Sequence, residues 1–165
     1  MIDVIRFCVE TISIEFDGWA ESHDHGPGLY FAVVCGGSVQ GYADTMGDER
    51  WPVDSSEHVL ADISAFYEAA KEVSRTRDGA VVVSVDGVVL SQMVRFRNLP
   101  SGPETGVDYE DWMGSRHMSA LDTSTRDEVI VTITLSGENG RVSVFEDGGF
   151  TTERQSELDR RWDPG

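Results

Sequence analysis

Apolar residues at Ile2, Ile5, Val9, Ile12, Phe16 and Trp19 recur at intervals of three and four, so the chain opens on an amphipathic helix. His23-Asp24-His25-Gly26-Pro27-Gly28 breaks that period, and the dense apolar run Leu29 to Cys35 then reads as a buried strand ending in a Gly36-Gly37 turn. Gly41 to Pro52 reads as loop. A second helix is expected from Asp54-Ser55-Ser56-Glu57, with Val59, Leu60, Ile63, Phe66, Tyr67, Ala70 and Val73 on one face and an end near Ser74 to Arg77. Ala80 to Val85 and Val88 to Phe96 are strands joined by the hairpin signal Asp86-Gly87. Asn98 to Asp111, with Pro100, Gly102, Pro103 and Gly106, is a long loop, and loops of that length often carry function. A short helix from Gly114 to Leu121 follows. Val129 to Leu135 and Arg141 to Phe145 form a second hairpin across Ser136-Gly137-Glu138-Asn139-Gly140. The tail from Thr151 is polar, with Leu158 and Trp162 spaced to pack a last helical turn. This order predicts an α/β (α+β) fold, a central mixed sheet flanked by helices.

With 165 residues, 39% of them hydrophobic, the chain is expected to form a single domain, residues 1–165, with a polar tail over 151–165. Its sign balance narrows the function. Thirty acidic residues face 13 basic ones, giving a net charge of −17, and Lys71 is the only lysine. Nucleic-acid binders neutralise phosphates with Lys and Arg, so no nucleic-acid partner is expected. Anionic membrane is excluded for the same reason. Acids spread along the whole chain, with arginine as nearly the only base, read as a halophilic cytoplasm, where molar salt shortens the Debye length to about 3 Å. An acidic partner surface on a mesophilic protein is the other reading. Cys8 and Cys35 show no CxxC spacing and read as thiols in a reducing compartment. With no basic leader and no apolar run of about 18 residues, a soluble cytoplasmic protein is expected.

Two places suit chemistry. Asp78-Gly79-Ala80 puts a carboxylate at the mouth of a buried strand, beside small residues that let a ligand approach the backbone; it also reads as a plain turn. Gly114-Ser115-Arg116-His117 opens a helix, where free N–H groups, a hydroxyl, a guanidinium and an imidazole make a phosphate site; a capped helix with Arg116 ion-paired is the alternative. Glu138 is an acid at a hairpin tip. Arg95 and Arg97 share one strand face and either make surface ion pairs or help to hold an anion. His23-Asp24-His25 reads as loop rather than metal site, and His58 as structural. The chain has no Walker A sequence, GxGxxG or nucleophile elbow.

Taken in order, Asp78-Gly79-Ala80, Leu99-Pro100, Gly114-Ser115-Arg116-His117-Met118-Ser119-Ala120 and Ser136-Gly137-Glu138-Asn139-Gly140 resemble the diadenylate cyclase (DAC domain) family. That family carries a DGA motif, a leucine-proline, a G-T-R-H-R-x-A motif and an S-E-E-T-G turn at similar spacing. The motif-bearing part covers residues 55–147, and the acid excess gives it a haloarchaeal cast. The resemblance implies condensation of two ATP into cyclic di-AMP with release of two pyrophosphates, at a face-to-face homodimer, with Mn²⁺ or Mg²⁺. It implies Asp78 as the catalytic, metal-bound carboxylate, Glu138 as a second metal ligand, and Gly79, Ala80, Ser115, Arg116 and His117 as nucleotide-binding residues.

Three positions depart from the family pattern. Met118 replaces its second arginine, Gly137 the first acid of the turn, and Arg75-Thr76-Arg77 the usual leucine-histidine before Asp78. Arg95 or Arg97 could stand in for the missing cation. Two further readings follow: a nucleotide-binding or sensor module of the same fold that has lost turnover, and a scaffold domain with no nucleotide site.

Overall fold

The six residues of strand β1 (Leu29–Val34) are all buried, which requires cover on both faces of the sheet. The computed structural model describes residues 1–21, 25–46, 51, 57–76, 78–97 and 107–158. Around β1 lie β2 (Ala43–Thr45), β3 (Ala80–Ser84), β4 (Val89–Phe96), β5 (Val129–Leu135), β6 (Val142–Glu146) and β7 (Gly149–Glu153), in the order β2-β4-β3-β1-β5-β6-β7. Only β1 and β3 run parallel; the other pairs are antiparallel, so the sheet is mixed. Helices α1 (Ile2–Glu15) and α2 (Ile63–Thr76) lie on one face and α3 (Ser115–Ser124) on the other.

Strand alternation assigns the two cores. Leu29, Phe31 and Val33 join Ile5, Cys8, Val9 and Ile12 of α1 and Phe66, Ala69, Ala70 and Val73 of α2. Tyr30, Ala32 and Val34 face the other way, onto Ala120 and Leu121 of α3 together with Val82, Val94 and Phe145. Burial pushes the Cys8 thiol up to about 12, which leaves it unreactive, whereas Cys35 is exposed and free.

Four expected boundaries shift. Helix α2 begins at Ile63 rather than near Glu57, because the Asp62 carboxylate accepts the Ala65 N–H at 2.9 Å and caps it there. Val59 is buried ahead of the helix, and His58 forms a bridge to Val88. Ala43–Thr45, expected as loop, pairs with β4 as an edge strand. Thr151, expected to open a polar tail, lies inside β7, which turns back on β6 through Asp147 and Gly148 at φ +50° and +76°. Helix α3 runs on to Ser124, three residues past the expected end. Residues 23–24, 54–56, 77, 98–106 and 162, which carry several sequence expectations including Leu99-Pro100, lie outside the described residues.

Candidate active site

The parallel pair β1 and β3 enters the sheet where β4 and β5 leave it, and α3 starts beside that edge. A cavity of about 610 Å³ opens there. It is lined by Gly28, Tyr30, Gly79 and Phe96, by Gly114 to His117, and by the Ser136–Asn139 turn. Asp78, Gly79, Ser115, Arg116, His117 and Glu138 all line it, while Ala80 is buried just inside β3 and is not a lining residue.

Gly79 sets the position of the carboxylate. Its φ of +82° belongs to the left-handed region, and a Cβ there would stand 2.9 Å from Met93 C and 3.0 Å from Val94 O. Those atoms belong to a bulge in β4: Ala80 pairs with Val94 and Val82 with Ser91, so β4 carries one extra residue, and Met93 takes φ +53°. The Gly79 N–H then donates to Asp78 Oδ1 at 2.8 Å, which orients an otherwise exposed carboxylate toward the cavity.

Opposite it, α3 starts at Gly114, whose extended backbone and missing side chain leave the first turn with no side-chain cap. Amides at such an end are free to meet an anion. Arg116 is half-buried and donates from Nη1 to the Leu135 carbonyl at 3.4 Å. Burial lowers its guanidinium from the usual value and the Asp78 carboxylate acts in the opposite sense, so the two charges sense each other across the cavity. Gly28 closes over this arginine, since a Cβ there would lie 2.5 Å from Nη1. Arg116 has no ion pair among the described residues.

His117 is buried, and its Nε2 has no hydrogen-bond partner among the described residues. Burial first, then the charges of Arg116 and Arg141, bring its value down to about 4, so the ring is neutral at pH 7. Its edge meets Trp112 at 5.1 Å. The two arginines of β4 divide between the readings open for them: Arg97 pairs with Asp44 at 2.6 Å, both exposed, whereas Arg95 lines the cavity. Met118 does not line it and packs against the α3-side core.

His25, from the segment read as loop, also lines the cavity, as do Ser119 and Asn139 of the quoted motifs and Trp112 and Arg141, which no local pattern marks as functional. His25 comes in because Gly26 donates to the Gly137 carbonyl at 2.7 Å and Gly28 to the Ser74 carbonyl at 2.9 Å, tying that segment to the cavity rim. The same approach accounts for Gly137: a Cβ there would sit 3.1 Å from Gly26 O.

The family model for DAC, the DisA bacterial checkpoint controller nucleotide-binding domain, matches residues 53–150, more than half of the chain. The chain belongs to the DAC family. A double mutant of DacA from Staphylococcus aureus superposes with a TM-score of 0.55 at 16% identity, over 94% of this chain and 87% of that one. A hypothetical membrane spanning protein from Bacillus cereus gives 0.53 at 22% identity, over 86% of this chain; the chain spans only 60% of that structure. At these identities the likeness speaks to the fold, a mixed sheet flanked by helices. No curated protein matches. Among the described residues no helix is long and apolar enough to cross a membrane.

Asp78 and Glu138 are the lining carboxylates that could hold a divalent cation. Both are exposed, while no group of three or more His, Cys, Asp or Glu that could hold a metal occurs among the described residues. Magnesium-type ions in nucleotide sites characteristically take one or two carboxylates and complete their shell with phosphate and water.

Proposed function

We propose that this DAC domain is a diadenylate cyclase that condenses two ATP into cyclic di-AMP and releases two pyrophosphates, in a halophilic cytoplasm. The observation that carries this reading is one cavity holding an oriented carboxylate at the mouth of β3 and, facing it, a guanidinium on an uncapped helix start.

Each 3′-oxygen attacks the α-phosphorus of the other ATP, the bond from that phosphorus to the bridging oxygen breaks, and pyrophosphate leaves. The cavity formed by the described residues takes one ATP on this reading, so two copies must face each other to close the ring. Asp78, fixed through Oδ1 by the Gly79 N–H, presents Oδ2 to the 3′-hydroxyl and takes its proton. Arg116, Ser115 and the open amides of α3 hold the triphosphate and meet the charge that builds on the departing pyrophosphate. His117, neutral at pH 7, adds a hydrogen bond to a phosphate oxygen or to a nucleotide hydroxyl according to its tautomer. Gly79 and Ala80 keep the β3 mouth low enough for the nucleotide to lie against the backbone. Asp78 and Glu138 would hold the divalent cation, Mn²⁺ or Mg²⁺, whose charge eases formation of the alkoxide.

The test is incubation with ATP and Mn²⁺ or Mg²⁺ in molar KCl with mass detection of the product. Two linked AMP units, absent with Asp78→Asn, support the reading. The lone acid of the turn favours the second reading, a binding or sensor module without turnover. ATP affinity with no product under any metal or salt would decide for it, and absence of both binding and product would defeat both.

A further inference from the structure

Arg141 stands immediately before β6, at the end of the turn that carries Glu138, and it lines the cavity. Its guanidinium carbon lies 4.5 Å from the centroid of the Trp112 ring, which itself abuts His117. Nη1 donates to Thr152 Oγ1 at 3.3 Å, and Nε is buried without a partner among the described residues. Among the described residues no carboxylate pairs with it. In a chain with 30 acids and 13 bases, an arginine held rigidly at a cavity wall and left without an acid is positioned for an anion that the chain does not supply. Helix α3 meanwhile offers only one arginine there, since Met118 is turned into the core.

We infer that Arg141, stacked on Trp112, binds the β- and γ-phosphates of the nucleotide and so supplies from the turn before β6 the cation that α3 lacks at Met118. This rests on the cavity being the ATP site. The planar guanidinium suits that role, because one face lies on the indole while its edge keeps N–H donors for phosphate oxygens. It sits close enough to His117 to help keep that ring neutral, so the phosphate end of the site gathers its positive charge on Arg116 and Arg141.

Calorimetric titration of the full chain in molar KCl with ATP, inorganic pyrophosphate and AMP tests the assignment. Arg141→Met is expected to weaken ATP and pyrophosphate about tenfold or more, the scale of a charge-assisted hydrogen bond, and to leave AMP within about twofold. Arg141→Lys, which keeps the charge on a flexible stem, should recover part of the loss. Equal weakening of ATP and AMP in both variants would make Arg141 a prop for Trp112 and overturn the inference, as would unchanged pyrophosphate binding. If the wild type binds ATP and pyrophosphate but forms no cyclic product, while Arg141→Met weakens both ligands and spares AMP, turnover fails and Arg141 stands. If it forms product and Arg141→Met binds like wild type, turnover stands and Arg141 falls. No binding of either ligand by the wild type removes both.

Discussion

Replacing Gly79 with alanine isolates the feature on which the candidate site is built. The added Cβ meets Met46 Cε at 2.5 Å, Met93 C at 2.9 Å and Val94 O at 3.0 Å. The methionine methyl can swing away. The other two atoms are backbone in the β4 bulge and can move only if the β3–β4 ladder shifts. The left-handed φ of +82° is a second cost. A non-glycine residue there costs about 1–2 kcal/mol, and overpacking adds roughly 1–3 kcal/mol. The sum, about 2–5 kcal/mol, corresponds to a fall in Tm of roughly 4–20 °C for a domain of this size.

The assay is a thermal melt by circular dichroism, with Gly37→Ala as control, since an added Cβ at exposed Gly37 has nothing within 4 Å. Gly79→Ala should also weaken ATP binding, because relieving the clash moves the N–H that orients Asp78. A Tm within about 2 °C of wild type would mean that Gly79 is not confined as described, and the argument for an oriented carboxylate would go with it.

Three further outcomes are expected. The value of about 4 for His117 lies below the ordinary 6.5, so the unfolded chain takes up the proton first as pH falls. The stability from the neutral ring, at most roughly 3 kcal/mol, is therefore complete above about pH 6.5 and lost as pH drops toward 4. Denaturant titrations of wild type against His117→Asn read that slope, and an NMR midpoint near 6.5 would contradict it. Arg97→Ala should leave Tm unchanged within error, because the Arg97–Asp44 pair is exposed on both sides, whereas Arg95→Ala should weaken ATP binding measured by titration. Tm should rise from dilute to molar KCl, which a series of scans would show; a fall would oppose the halophilic reading.

Much of this arrangement is legible in the sequence because local and global signals agree. The α1 period, the Asp86-Gly87 turn with Gly87 at φ +90°, and the doubly buried β1 each state their environment in adjacent residues. The start of α2 is harder to place because Val59 and Leu60 continue the helical period upstream of Asp62, and the cap outweighs the period. Strand β2 is three residues long and carries no period to read. The signal for β7 is present in Asp147-Gly148, a turn pair with both φ values positive, but Thr151 and Thr152 beyond it look like tail. The site divides in the same way. Asp78 and Arg116 sit in local patterns with a chemical meaning of their own. Arg141 and Trp112 are 29 positions apart in the numbering, and only the approach of the β6 start to the segment before α3 joins them. No window of sequence contains that fact.

The charge distribution makes the cavity more telling than its lining alone. A body with a net charge of −17 repels ATP at long range, so binding must be won within a few ångströms. Three arginines, Arg95, Arg116 and Arg141, line this one cavity with no ion pair among the described residues, while Arg6 and Arg97 are each held by carboxylates. Salt acts differently on the two sets. It screens the exposed acids whose mutual repulsion strains the fold, and acts much less on contacts made inside a partly buried site. Raising the salt therefore relieves the long-range penalty on an approaching polyphosphate while sparing most of the short-range attraction. On the proposed reading, three arginines against the two carboxylates Asp78 and Glu138 leave this cavity an excess of positive charge within an acidic chain, so a nucleotide in concentrated salt would need no basic surface patch.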